Sequence, residues 1–185
     1  SRAFSRVTHE ITRMETLIHD LLLLAELGES GMREIETIDI SEITSVHSQD
    51  FITLNPGRMV KLAIEPNIKV EMVRDHYLRF FQNALNNISR HTPADAPVLI
   101  SIKCHGKSVT LTIEDGGPGL PESAYKERVQ SLNRFDKSRS RESGGSGLGM
   151  SIMAGVISKS DGELTLRKSA LGGLAIVASI PRHRE

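Results

Sequence analysis

The chain has 185 residues, with 23 basic and 23 acidic side chains, and so no formal net charge. That length allows one or two domains with a core of their own, and the charge balance excludes a broad electrostatic pull toward nucleic acid or an anionic membrane. A single cysteine, Cys104, excludes a disulfide framework and a cysteine metal knuckle, and the lack of tryptophan argues against base-stacking platforms. A chain opening on Ser1 reads as a piece of a longer one. Its first segment repeats Phe4, Val7, Ile11, Met14, Ile18, Leu21 and Ala25 at alternating spacings of three and four, the seam of a coiled coil or helical bundle. Such a helix either packs on its own domain or pairs with a partner helix, and with no second such helix in the chain the strict seam favours a partner. The longest apolar run, Leu21 to Ala25, is far too short to span a bilayer, and no signal-peptide pattern is present. Gly28 ends this helix, and Ser30-Gly31 opens a linker.

The remainder reads as one unit. Glu36 to Ile40 suits a short strand, and Ser41 suits the cap of a helix toward Leu54, broken by Asn55-Pro56-Gly57. Two strands, Met59 to Glu65 and Ile68 to Val73, flank a Pro66-Asn67 turn in a hairpin-like pattern. Asp75 suits the cap of a helix that buries Leu78, Phe81, Leu85 and Ile88 and stops at Thr92-Pro93. Val98 to His105 and Ser108 to Glu114 alternate apolar and polar residues around Gly106-Lys107, a hairpin. A weak helix over Glu122 to about Leu132 follows, then a charged, Ser/Gly-rich stretch over 136–147. Leu148 to Ser158 reads as an apolar helix, and Glu163 to Lys168 with Leu174 to Ile180 closes the sheet around Gly172-Gly173. Helices clustered between antiparallel hairpins predict an α+β layered fold.

Three features carry chemistry. The stretch "GGSGLGMS", 144–151, is one letter from a P-loop, with Met150 where the lysine belongs. It does not follow a buried strand, and its glycine spacing also fails the dinucleotide fingerprint. A glycine loop that opens a helix either cradles phosphate with free N–H groups or serves as a hinge. In "DGGPG", Asp115 ends an apolar strand, with Gly117 and Gly119 two apart. A carboxylate there can accept from an exocyclic amine, and the same letters also make an ordinary turn. Asn83 and Asn87 share a helix face, with Arg90 one turn on. An amide oxygen can ligate Mg²⁺, an arginine can offset phosphate charge, and the stripe is equally consistent with a solvated face.

In this order the features resemble sensor histidine kinases. "NALNNISRHT" is similar to their N box, "DGGPG" to their D-x-G-x-G box, "GGSGLGMSI" to their G-x-G-L-G box, and "SALGGLAIVASIP" to their closing hairpin. The resemblance spans roughly Ile38 to Pro181. It implies the Bergerat ATP-binding fold, an α+β two-layer sandwich with a mixed sheet on three helices, preceded by a long coiled-coil-like helix. It implies ATP and Mg²⁺ as cofactors. Asn87 would ligate Mg²⁺, with Asn83 beside the phosphates and Arg90 on phosphate. Asp115 would bond the adenine amine, with Gly117 and Gly119 shaping that pocket. Gly145, Gly147, Leu148 and Gly149 would form the hinge and helix start. A lid would cover about 120–146, where "RFDKSRSRE" offers Arg134 and Lys137 as phosphate contacts. Residues 1–30 would be the second helix of a dimerisation and phosphoacceptor hairpin, and 31–185 the ATP-binding domain. His9-Glu10 lacks the proline that follows a phosphoacceptor, so His9 reads as a solvated helix residue and the acceptor lies upstream. Ile88, His91, Val129, Leu132 and Leu174 depart from the family's usual residues.

The implied function is transfer of the γ-phosphoryl of ATP to that upstream histidine. Implied partners are the chain's own dimerisation helices, a second copy and a cognate response regulator, with no nucleic acid. Implied location is the cytoplasmic portion of a bacterial sensor kinase, anchored to a membrane only through upstream segments. Members that hydrolyse ATP place a glutamate where Asn83 stands, so little intrinsic hydrolysis is expected. The alternatives are a degenerate domain acting by nucleotide binding or dimerisation, an ATPase clamp, and an anti-sigma-type serine kinase.

Overall fold

The computed structural model describes residues 2–28, 34–125 and 148–183. In chain order these form α1 (Arg2–Gly28), β1 (Glu36–Asp39), α2 (Ile40–Leu54), β2 (Val60–Ile64), β3 (Lys69–Met72), α3 (Arg74–His91), β4 (Val98–His105) and β5 (Ser108–Asp115). A single 3-10 turn (Glu122–Tyr125), α4 (Gly149–Lys159), β6 (Glu163–Lys168) and β7 (Leu174–Pro181) follow. The five-stranded sheet runs β2-β4-β5-β7-β6. β2 lies parallel to β4, and every other neighbouring pair is antiparallel. A separate antiparallel pair, β1-β3, sets Ile38 opposite Val70.

Alternation along the strands creates the two layers. In β5, Val109, Leu111, Ile113 and Asp115 are buried, while Thr110, Thr112 and Glu114 are partly exposed. In β4, Val98, Ile100 and Ile102 are buried, and Lys103 is exposed. A period of two thus gives the sheet one dry face and one wet face. The helices cover the dry face. α3 contributes Tyr77, Phe80, Phe81, Ala84 and Ile88, and α4 contributes Ile152, Met153, Val156 and Ile157, all buried. The mixed sheet on helices is the α+β sandwich expected from the sequence.

Several local expectations are corrected. Ser41 is not the cap of α2. Asp39 is, and its Oδ1 accepts from Glu42 N at 3.0 Å. Ser41 instead donates from Oγ to Glu65 O (2.6 Å) and accepts from Ile68 N (3.1 Å). With Ile40 N donating to Ile68 O (3.0 Å), these bonds occupy polar groups that a tight hairpin would pair. The strands around Pro66-Asn67 therefore part. β2 joins β4, and β3 joins β1. The cap position of α3 is Val73, and Asp75 lies in the first turn, where its charge complements the helix dipole. The buried stripe of α3 includes Tyr77 and Phe80, whereas Leu78 is half-buried. Of the helix expected over Glu122 to Leu132, the described part is the 3-10 turn, and the rest lies outside the described residues.

Tyr77 ties α2 to α3. Its ring stacks on Phe81 with centroids 6.4 Å apart, and its hydroxyl shares a 2.5 Å hydrogen bond with Thr44 Oγ1. Complete burial pushes the phenol well above its ordinary value, the Thr44 bond pulling the other way.

α1 has two apolar faces. Leu23, Leu24 and Leu27 pack on the domain core. Asp20, only 2 % exposed, accepts from Arg79 Nη2 at 2.5 Å, and Glu26 Oε1 lies 3.6 Å from His76 Nε2. The approach is close enough that a Cβ on Gly155 would stand 3.1 Å from Leu27 Cδ1. The seam of Phe4, Val7, Ile11, Met14, Ile18 and Leu21 points elsewhere and is exposed.

Candidate functional site

Asp115 follows the inward parity of Val109, Leu111 and Ile113, so a carboxylate ends β5 on the buried face. It is 7 % exposed. Burying a charge there is costly unless it is hydrogen-bonded. Oδ1 accepts from Gly117 N at 2.8 Å and from Leu174 N at 3.3 Å. Among the described residues Oδ2 accepts no hydrogen bond. β7 reaches this point through the Gly172-Gly173 turn, with Gly173 N donating to Asp115 O at 3.0 Å. A Cβ on Gly173 would lie 2.1 Å from Asp115 Oδ1, so only glycine fits.

Asp115 opens onto a cleft of about 680 Å³, counting its solvent-open mouth. Its walls are largely apolar, from Ile88, Ile113, Met150, Leu166 and Ile176, and Asn87, His91, Thr92 and Gly119 also line it. An apolar slot with one fixed carboxylate is what a planar heterocycle bearing an amine requires. Gly119 adopts φ +67, and a Cβ there would meet Tyr125 Oη at 2.8 Å. Leu120 N donates to that hydroxyl at 2.8 Å, which fixes the turn. Beyond it, the exposed Lys168 ammonium is paired with Glu122, and this holds its pKa above the usual lysine value.

The structure brings Asn87, Asp115 and Gly119 to the cleft. Gly117 stands behind Asp115, against Thr92, whose Cγ2 would be 2.6 Å from a Cβ on Gly117. Asn83 does not line the cleft. Its Nδ2 donates to Arg79 O at 2.8 Å, and its Oδ1 would be 2.9 Å from a Cβ on Gly149. It therefore seats the start of α4. Leu148 is the cap position of α4 and makes no side-chain cap bond, and Gly149 begins the helix. Met150, in the lysine position of the near P-loop, is buried in the core and also lines the cleft. Arg90 is exposed on the last turn of α3, next to His91. Arg134, Lys137, Gly145 and Gly147 lie outside the described residues. Among the described residues no group of three His, Cys, Asp or Glu side chains could hold a metal.

Sequence reasoning missed Thr92, Met150 and Leu166 as wall residues, and Gly173 as a residue in contact with Asp115. Gly173 carried a faint signal as part of a turn. Thr92 and Met150 stood inside the quoted boxes without being assigned to the wall, and Leu166 carried no signal, because it meets the others only in space.

A buried carboxylate at a strand end, one asparagine on the cleft wall and a helix opened by Gly149 thus meet on a mixed-sheet two-layer sandwich. Residues 72–184 match the model of the histidine kinase-, DNA gyrase B- and HSP90-like ATPases, and the chain belongs to that family. Membership in an ATPase family identifies ATP as the ligand. The probable sensor histidine kinase TcrY of Mycobacterium tuberculosis is 31% identical over 172 residues, 91% of this chain and 36% of that protein. The signal transduction histidine-protein kinase BaeS of Escherichia coli is 28% identical over 179 residues, 95% of this chain and 38% of that protein. The chain thus spans under two fifths of the length of these relatives. The full-length structure of ShkA in complex with AMPPNP superposes over all of this chain and 39% of that one, with a TM-score of 0.73 at 19% identity. At that identity the likeness is one of fold.

Proposed function

We propose that this chain is the ATP-binding catalytic region of a two-component sensor histidine kinase. It passes the γ-phosphoryl of Mg-ATP to a histidine outside the chain. A P–O bond of ATP breaks, a P–N bond to the imidazole forms, and ADP leaves. The observation that carries this is Asp115: Oδ1 is held by two backbone N–H groups, and the carboxylate lines the end of an apolar slot. That carboxylate accepts from the adenine amine, with Gly117 and Gly119 holding the backbone close. Ile113, Met150, Leu166 and Ile176 exclude water from the ring faces.

Phosphoryl transfer of this kind rests on positioning and charge neutralisation. Asn87, on the cleft wall, offers one amide oxygen to Mg²⁺. One protein oxygen suits an ion that takes its other donors from phosphates and water. When bound, the ion supplies positive charge against the phosphates. Arg90 adds charge from the end of α3. The N-terminus of α4 at Leu148-Gly149, seated by Asn83, presents N–H groups to the same charge. Arg134, Lys137, Gly145 and Gly147 complete the lid side. Asn83 cannot act as a base toward water, in keeping with a histidine nucleophile.

In this reading residues 1–30 are the second helix of the dimerisation hairpin, and 31–185 the ATP-binding domain with a lid at about 120–146. A second copy joins along the exposed seam of α1, and a response regulator receives the phosphoryl group. Among the described residues no helix is long and apolar enough to cross a membrane. The test joins this chain to its full hairpin and supplies labelled ATP. Acid-labile, base-stable label on the hairpin, lost in Asn87→Ala, is the expected result. Label on serine, or label that persists without Asn87, overturns the proposal.

A further inference from the structure

Arg58 is buried, 6 % exposed, and among the described residues it has no carboxylate partner. A guanidinium in that position must be held by neutral acceptors or its burial is costly. All three of its acceptors lie in one short segment. Nη1 donates to Thr92 Oγ1 (2.8 Å) and to Ala96 O (3.1 Å), and Nη2 donates to Pro93 O (2.9 Å). One planar fork thus spans the loop that joins α3 to β4. Val98 N, donating to Met59 O at 2.8 Å, closes the same junction from the strand side.

The opposite side of that loop forms part of the nucleotide cleft. Thr92 lines it. Thr92 Oγ1 donates to Ile88 O at 2.7 Å and accepts from Arg58, so both bonds fix its rotamer and direct its methyl at Gly117. Pro97 O accepts from Gly116 N at 2.9 Å, and a Cβ on Gly116 would meet the Pro97 ring at 2.7 Å. The loop therefore backs the residues that follow Asp115. Gly117 N is one of the two donors holding Asp115 Oδ1.

We propose that Arg58 is a positioning residue for base recognition. By clamping residues 92–96 it sets the wall behind Asp115-Gly116-Gly117, and so the aim of the Asp115 carboxylate into the slot. It touches no ligand. This rests on the nucleotide-binding reading of the cleft, and the test separates the two.

The test compares the wild-type chain with Arg58→Met and Arg58→Lys, and with Thr92→Val, which keeps a methyl but breaks both hydroxyl bonds. Adenosine, ADP and ATP are titrated by calorimetry, and amide exchange of the unliganded proteins is followed at single residues. In Arg58→Met and Thr92→Val, affinity for all three ligands falls by the same factor, about tenfold, as expected for loosening one buried hydrogen-bonded set. Arg58→Lys recovers part of it. Protection of the Gly116 and Gly117 amides drops, while that of β5 and β7 centre residues such as Leu111 and Ala178 is unchanged. A merely structural role would lower protection everywhere together. Unchanged affinity and unchanged Gly116 protection in folded variants overturn the proposal. A loss confined to ATP also overturns it, since that places Arg58 with the phosphates. Should the wild type bind none of the three, the nucleotide reading fails on its own, and the exchange data still decide whether Arg58 holds the wall.

Discussion

Asp115 shows how one residue acquires a role from its neighbours. Strand parity turns it inward, two backbone N–H groups fix one oxygen, and the absence of a side chain at Gly173 leaves room for it. In Gly173→Ala the new methyl falls on Asp115 Oδ1 and on backbone of Asp115 and Gly117, none of which can yield cheaply. Calorimetric titration is expected to show ATP binding weakened by at least an order of magnitude or abolished, with the far-ultraviolet spectrum retained. Tyr77 gives a second expectation. Its folded-state pKa is raised above the ordinary value of 10.0 by burial, so the neutral phenol contributes stability in full below pH 10. That contribution is lost as pH climbs above 10 toward the folded value. Urea unfolding across pH 8–11, near the unfolded phenol value, is expected to show a fall that Tyr77→Phe removes. At neutral pH the same variant loses about 1 kcal/mol, because the Thr44 hydroxyl is left without its partner. That Asp115 ends an apolar strand was legible in the alternation of β5. Tyr77 was not, since the helix stripe admitted Leu78 as readily, and only the position of α2 chooses between them.

At the level of elements, α1 is the informative case. Its three-and-four repeat is plain in the letters, and the structure leaves that seam exposed. The docked face, Asp20, Leu23, Leu24 and Leu27, has the same three-and-four spacing but only over two turns and with a carboxylate at its head, so its burial is decided by α3 and α4 beside it. Asp20→Ala removes the acceptor of Arg79 and is expected to weaken docking by about 2 kcal/mol, typical of a charge-assisted hydrogen bond. Amide exchange over residues 20–27 rises in that variant while β4, β5 and β7 keep their protection. Equal loss of protection throughout would mean that α1 and the sandwich unfold as one unit. The contrast between hairpins is similar. β4-β5 forms as its alternation and Gly106-Lys107 turn suggest, since both strands share a dry face. The Pro66-Asn67 turn has the same surface signals, but Ser41 of α2 bonds both sides of it and separates the strands.

For the molecule as a whole, the sandwich brings the end of β5, the start of α4 and the last turns of α3 to one cleft, with Asp115, Met150 and Asn87 all on its wall. Asn83 bonds Arg79 O and abuts Gly149, so the helix that holds α1 also seats the glycine-opened helix. In the proposed reading Asn83 stands where hydrolysing relatives would carry a base, so this chain with Mg²⁺ and ATP is expected to hydrolyse ATP at a rate near the background of the assay. Coupled-enzyme measurement of ADP release checks this, and turnover of several per minute would point to an ATPase clamp.

Layer architecture was readable in the period-two alternation, which states which strands have a dry face. Ligand class came only through the joint resemblance of the three boxes to a known family, since each box alone suits a hinge, a turn or a solvated face equally well. Strand partners, the second face of α1, the seating of Gly149 by Asn83 and the clamp of Arg58 on residues 92–96 came only with the fold. Those contacts join residues far apart in the chain, and burial and hydrogen-bond satisfaction, which no local pattern encodes, select them.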